Sequence, residues 1–130
     1  MTGKPAQAFV KLFVSDFEES ARFYETALGF TVQRKIDAGE FDEWILAPPH
    51  PGSLRLILCR WKDARALTPG NMHGPLGFLL DDVDAVHQAM LANGGRNLAA
   101  PMDMGAARVA IAADPDGHPI ELLRMPSAHA

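Results

Sequence analysis

Only one cysteine, Cys59, occurs in the 130 residues, so no internal disulfide can form. The chain therefore does not read as a secreted domain stapled by cross-links, and a reducing cytoplasm is its expected setting. No apolar run approaches the roughly 18 residues that cross a bilayer. The stretch Met1 to Gln7 lacks the apolar segment of a signal peptide. Lysine and arginine never gather into a run, and 12 basic against 16 acidic side chains leave a formal charge of -4. Without a basic patch to neutralise phosphates, nucleic acid is not an expected partner, and no membrane is expected either. What is present is the balance of an ordinary globular domain, 48% hydrophobic and 22% charged. The length suits one domain over 1–130, with two small units sharing a core as the other arrangement.

The segment Phe9 to Val14 is rich in β-branched and aromatic residues and reads as a strand. Ser15 and Asp16 then offer capping oxygens, and Glu18 and Glu19 stand where a capping box would need them. Phe17, Ala21, Tyr24 and Leu28 recur at helical spacing, which predicts one apolar face and a helix ending at Gly29. Three further strands are expected at Phe30 to Ile36, Phe41 to Ala47 and Leu54 to Trp61, separated by turn residues. Lys62 to Gly74, with Pro69, Gly70 and Asn71, reads as a linker, after which the order restarts. Leu76 to Leu80 predicts a strand, and Asp82 to Asn93 a helix with Val83, Val86 and Met90 inward. Asn97 to Ala100, Arg108 to Ala113 and Pro119 to Arg124 are the remaining strands. A shift of 66 positions lays Phe9 on Pro75, Asp16 on Asp82 and Gly29 on Gly95 without a gap. The chain is thus expected to hold two βαβββ modules, about 6–61 and 75–125, joined by a linker over 62–74.

Two segments resemble the vicinal-oxygen-chelate group, which is the glyoxalase/bleomycin resistance protein/dioxygenase family. Val14 to Phe30 is similar to its D-x-x-x-S-x-x-F-Y-x-x-x-L-G-F helix, and Asp114 to Leu122 to its D-P-D-G turn running into an I-E-L strand. The resemblance implies an α+β fold of two paired βαβββ modules. Their curved mixed sheet would surround a central cavity, often in a homodimer. It also implies that metal-dependent members hold a divalent ion at four inward positions, on the first and last strand of each module. Carried over, these fall at Phe9, near Arg55, at Pro75 and at Glu121. Of the four, only Glu121 has a side chain that binds a metal ion.

Strand alternation allows an independent reading of which side chains face inward. In Leu54 to Cys59 the leucines share one face, which sends Arg55, Ile57 and Cys59 to the other. In the first strand Val10, Leu12 and Val14 should meet the helix, leaving Phe9, Lys11 and Phe13 inward. Arg55 and Glu121 stand 66 apart, so the guanidinium is a candidate replacement for a lost ion, pairing with Glu121 across the modules. The alternative is that both side chains reach water and the pair contributes under about 1 kcal/mol.

A metal site needs about three protein ligands at fixed geometry, so no cofactor is expected. Zn, Ni, Mn or Fe would enter only through a rearranged site using His73 and Glu121. His50, His87, His118 and His129 fall on turns, a helix and the tail, where solvated positions are expected. Cys59 has no histidine beside it to act as base and reads as a small buried hydrophobe. Trp44 and Trp61 are candidates for stacking on a planar ligand, with Trp44 favoured as a mid-module strand residue.

Two function classes stay open. One is a protein that binds a small organic molecule through Phe9, Lys11, Phe13, Trp44, Arg55, Ile57 and Glu121. The other is a lyase, isomerase or dioxygenase of the glyoxalase type, working either through the rearranged metal site or by metal-free acid/base work of Glu121.

Overall fold

Each half of the chain runs βαβββ and forms its own four-stranded mixed sheet with one helix. The computed structural model describes residues 3–126, and the chain divides into two compact units, Met1–Leu67 and Thr68–Ala130.

The first unit consists of β1 (Phe9–Phe13), α1 (Phe17–Leu28), β2 (Thr31–Asp37), β3 (Phe41–Ala47) and β4 (Arg55–Trp61). Its strand order is β1-β4-β3-β2, with β1 parallel to β4 and the other pairs antiparallel. Helix α1 begins where Asp16 Oδ1 accepts the Glu19 amide at 3.0 Å, which satisfies one of the free N–H groups of the first turn. It ends at Gly29, whose φ of 77° suits a residue without Cβ. Ser20, Ala21, Phe23, Tyr24 and Ala27 are its buried residues. The expected face of Phe17, Ala21, Tyr24 and Leu28 is therefore corrected by a small rotation. Phe17 and Leu28 lie half-buried at its margins, and the fully buried Phe23 takes the centre. Against it the sheet presents Val14, Leu46, Leu56 and Leu58, all buried.

The second unit consists of β5 (Leu76–Leu79), α2 (Val83–Ala92), β6 (Arg96–Met104), β7 (Ala107–Ala113) and β8 (Pro119–Arg124), in the order β5-β8-β7-β6. Asp82 caps α2 by accepting the Ala85 amide at 3.0 Å. Met90 and Val83 are buried, as are Ala110, Ala112, Ile120 and Leu122 of the sheet.

Strand β6 runs four residues past the expected end at Ala100. Pro101 breaks its alternation in sequence, yet β6 is an edge strand whose register shifts between Asn97 and Ala99 and again between Ala99 and Met102. Irregular edge pairing of that kind tolerates a residue with no N–H.

The solvated reading of His87 is corrected. His87 is buried on α2, and its Nε2 lies 2.9 Å from Asn97 Oδ1. The inward stripe of α2 is Val83, His87 and Met90, not Val83, Val86 and Met90. Asn97 supplies the polar partner that lets an imidazole be buried there. His129 lies outside the described residues.

Candidate ligand-binding face

Helix α1 covers one face of the first sheet, and no other helix of that unit covers the opposite face. The register states which side chains share that open face. Phe9 pairs with Arg55, Lys11 with Ile57 and Phe13 with Cys59. Across the next ladder Phe41 pairs with Trp61, Glu43 with Cys59 and Ile45 with Ile57. Directly paired residues project to the same side, so Phe9, Lys11, Phe13, Arg55 and Ile57 lie together as the alternation predicts.

Trp44 does not join them, and its expected place is corrected. It pairs with Leu58 on the helix-covered side, where its indole stacks on Phe17 at 4.7 Å between centroids and 2° between planes. The Lys35 ammonium also sits 4.1 Å from the Trp44 ring centroid. The sequence offered no sign of this, because β3 alternates between two half-buried sets and either face suits an indole. Trp61 is on the open side but is engaged as well. Phe13 stacks on it at 4.4 Å and the Arg65 guanidinium lies 3.9 Å from its centroid. Both indoles are thus used in the protein's own aromatic and cation-π contacts.

The residue that sequence reasoning missed is Glu43. It is 8% exposed, and an isolated buried carboxylate is costly. Lys11 offsets that cost, with its Nζ 2.7 Å from Glu43 Oε2. The same ammonium stands 5.5 Å from the Phe41 centroid. The hydrogen bond to Glu43 holds the Lys11 pKa above its ordinary value, so the amine stays protonated and is a poor nucleophile. Cys59 is fully buried, and its Sγ lies 3.8 Å from Glu43 Oε2. Burial first and the Glu43 charge second push its pKa up to about 11, against the smaller opposing pull of Lys11. A thiol so held is neutral at physiological pH. No signal in the sequence marks Glu43, because its place opposite Cys59 is set by the β3–β4 register.

The equivalence of Arg55 with Glu121 is also corrected. The caps Asp16 and Asp82 keep the first strands and helices in step at 66. In the first unit the Val14 amide donates to the Cys59 carbonyl, and in the second the Leu80 amide donates to the Leu123 carbonyl. Val14 and Leu80 are 66 apart, whereas Cys59 and Leu123 are 64 apart. The last strands have thus slipped by two residues, which preserves the facing side but changes the partner. Glu121 pairs with Gly77, and its counterpart in the first unit is Ile57. Arg55 is exposed and has no ion-pair partner among the described residues of its own unit.

Glu121 is half-buried on β8 and lies opposite Ile111 of β7. The turn before it is held by the buried Asp114, whose Oδ1 accepts the amides of Asp116 at 3.0 Å and His118 at 2.9 Å. His73 is exposed, in the segment ahead of β5.

A model of the glyoxalase/bleomycin resistance protein/dioxygenase superfamily matches residues 6–122. The chain belongs to that superfamily. Among curated relatives, a probable lactoylglutathione lyase of Vibrio cholerae is 29% identical over 126 residues, covering 92% of this chain and 90% of the relative. Among solved structures, a glyoxalase I variant from Zea mays is 27% identical with a TM-score of 0.79, over 90% of this chain and 45% of that one. The chain therefore spans about half the length of the maize enzyme. A glyoxalase/bleomycin resistance protein from Albidiferax ferrireducens is 26% identical with a TM-score of 0.70, over 92% of this chain and 98% of that one.

Superfamily members usually bind a metal, and the residues here do not fit one. The positions implied by the family resemblance are Phe9, one near Arg55, Pro75 and Glu121, and the register makes Ile57 the counterpart of Glu121 for the second of them. A phenyl ring, an aliphatic side chain and a pyrrolidine carry no lone pair for an ion. Among the described residues no group of three or more His, Cys, Asp or Glu side chains is placed to hold one. His73 would add at most one ligand to Glu121.

Proposed function

We propose that this chain is a member of the glyoxalase/bleomycin resistance group that binds a small organic molecule without the family's metal. Phe9, Lys11, Phe13, Arg55 and Ile57 are the contacts proposed on the first sheet, Glu121 is the acidic contact proposed on the second, and a homodimer is the proposed assembly. One observation carries this reading: three of the four positions that hold the ion in metal-dependent members lack any donor atom. The neutral thiol of Cys59 and the protonated amine of Lys11 also argue against nucleophilic catalysis on the open face.

The name of the Vibrio cholerae relative favours a second reading, a lyase of the lactoylglutathione type, or an isomerase or dioxygenase of the same group. It would need either a rearranged metal site using His73 and Glu121 or metal-free acid/base work by Glu121. Incubation with Zn²⁺, Ni²⁺, Mn²⁺ or Fe²⁺, followed by desalting, metal analysis and an assay of lactoylglutathione turnover, separates the two. The binding reading expects no stoichiometric metal and no turnover. One ion per chain that is lost in Glu121→Gln, together with turnover, would replace it with the second.

A further inference from the structure

The open face of the first sheet differs in charge from the rest of the chain. Its strands carry three cations there, Lys11, Arg34 and Arg55, against the single carboxylate of Glu43. Arg34 belongs to this side because it pairs with Ile45 beyond the irregularity in β2. Yet the chain as a whole has a formal charge of -4. A positive face on an acidic protein attracts anions locally, whatever the net charge.

The cations are unequal in freedom. Lys11 gives one hydrogen bond to Glu43 and keeps its side chain 42% exposed, so two of its three N–H donors remain for another acceptor. Arg55 is exposed and has no ion-pair partner among the described residues of its unit. The two stand diagonally on the paired strands β1 and β4, since Lys11 pairs with Ile57 and Phe9 with Arg55. Diagonal neighbours in a sheet lie about 7 to 8 Å apart, a gap that two long side chains can close onto one group. The floor between them is apolar, made by Ile57 with Phe9 and Phe13 alongside. Phe9 is 60% exposed, an unusual position for a phenyl ring on a strand unless something covers it.

From this juxtaposition we infer that the open face of the first sheet takes an organic carboxylate with an apolar body, whose anion is received by Lys11 and Arg55. The inference rests on the binding reading and names the class of ligand for it. Glu43 fixes the Lys11 ammonium in place but, as the one negative charge on the face, also opposes the ligand.

The test uses the full chain labelled with ¹⁵N and two probes of equal shape, 2-naphthoate and the neutral 2-naphthamide. Naphthoate is expected to shift the amides of Lys11, Arg55 and Ile57. Loss of a charge-assisted hydrogen bond, in Lys11→Met or with the amide probe, should weaken binding about tenfold or more. Arg55→Gln, at an exposed site with no ion-pair partner among the described residues of its unit, checks that a loss in Lys11→Met is not misfolding and should show a drop of similar sign. Glu43→Gln should bind naphthoate more tightly, an effect that structural damage would not produce. Equal affinity for the two probes would overturn the carboxylate inference while leaving small-molecule binding intact. Shifts confined to other elements, or no binding of either probe, would overturn it outright, and the metal and turnover measurements would then decide the broader reading independently.

Discussion

At the scale of single residues, the protonation states on the open face follow from burial and from one ion pair. Glu43 is buried because Lys11 is beside it, and Cys59 stays protonated because both burial and Glu43 disfavour a second negative charge. Since the folded thiol is raised from 9.0 to about 11, the folded state binds that proton more tightly than the unfolded one. Its contribution is fully present below pH 9.0 and is lost as pH rises through about 11. Urea midpoints measured across this window should fall with pH, and the Cys59→Ala variant should show a shallower fall. Arg55 provides a contrasting case. A double-mutant cycle of Arg55→Ala with Glu121→Ala is expected to give a coupling under about 1 kcal/mol, the range of exposed pairs. A coupling of several kcal/mol would restore the ion-replacement idea that the 66-residue spacing first suggested.

The elements owe their limits to caps and turns that can be tested one at a time. Asp16→Ala and Asp82→Ala each remove an N-cap oxygen with a bond of 3.0 Å, and each should cost about 1 kcal/mol in chemical denaturation. Gly29 combines a φ of 77° with the Pro49 Cβ only 3.3 Å from where its own Cβ would lie. Gly29→Ala should therefore cost more than the roughly 1 kcal/mol of a simple left-handed penalty. Leu58 is fully buried between β4 and α1, and Leu58→Ala is expected to lose about 2 to 5 kcal/mol. A loss below about 1 kcal/mol would mean that the helix does not pack on that face.

For the whole molecule, the repeat is sustained by equivalent caps and equivalent parallel pairings, yet the two copies are not superposable residue by residue along the chain. The slip from 66 to 64 in the last strands arises in the connections before them: β3 and β7 are still 66 apart, but 48–54 joins β3 to β4 whereas the shorter 114–118 joins β7 to β8. Alternation survives a slip of two, so each sheet keeps its inward and outward sets while the identity of a counterpart changes. Size-exclusion chromatography with light scattering tests the assembly, with a species of twice the 14.1 kDa chain mass expected for the homodimer. A monomer at all concentrations would remove that part of the proposal.

The amino-acid sequence alone was enough for the βαβββ order, both N-caps, Gly29 as the helix stop, and the shared face of Phe9, Lys11, Phe13, Arg55 and Ile57. These depend on local spacing, capping chemistry and a period of two, all of which are written along the chain. The tertiary structure was needed for Glu43 beside Lys11, for Trp44 on the helix side, for His87 beside Asn97, and for Ile57 as the counterpart of Glu121. Each of those depends on register between strands or on packing between a helix and a sheet. A single hairpin residue or a modest helix rotation changes them, and no local pattern records it. The lone Cys59 shows the same division. Its count excluded a disulfide at once, but only its burial in the fold and the placement of Glu43 beside it determined how far its thiol pKa is pushed up.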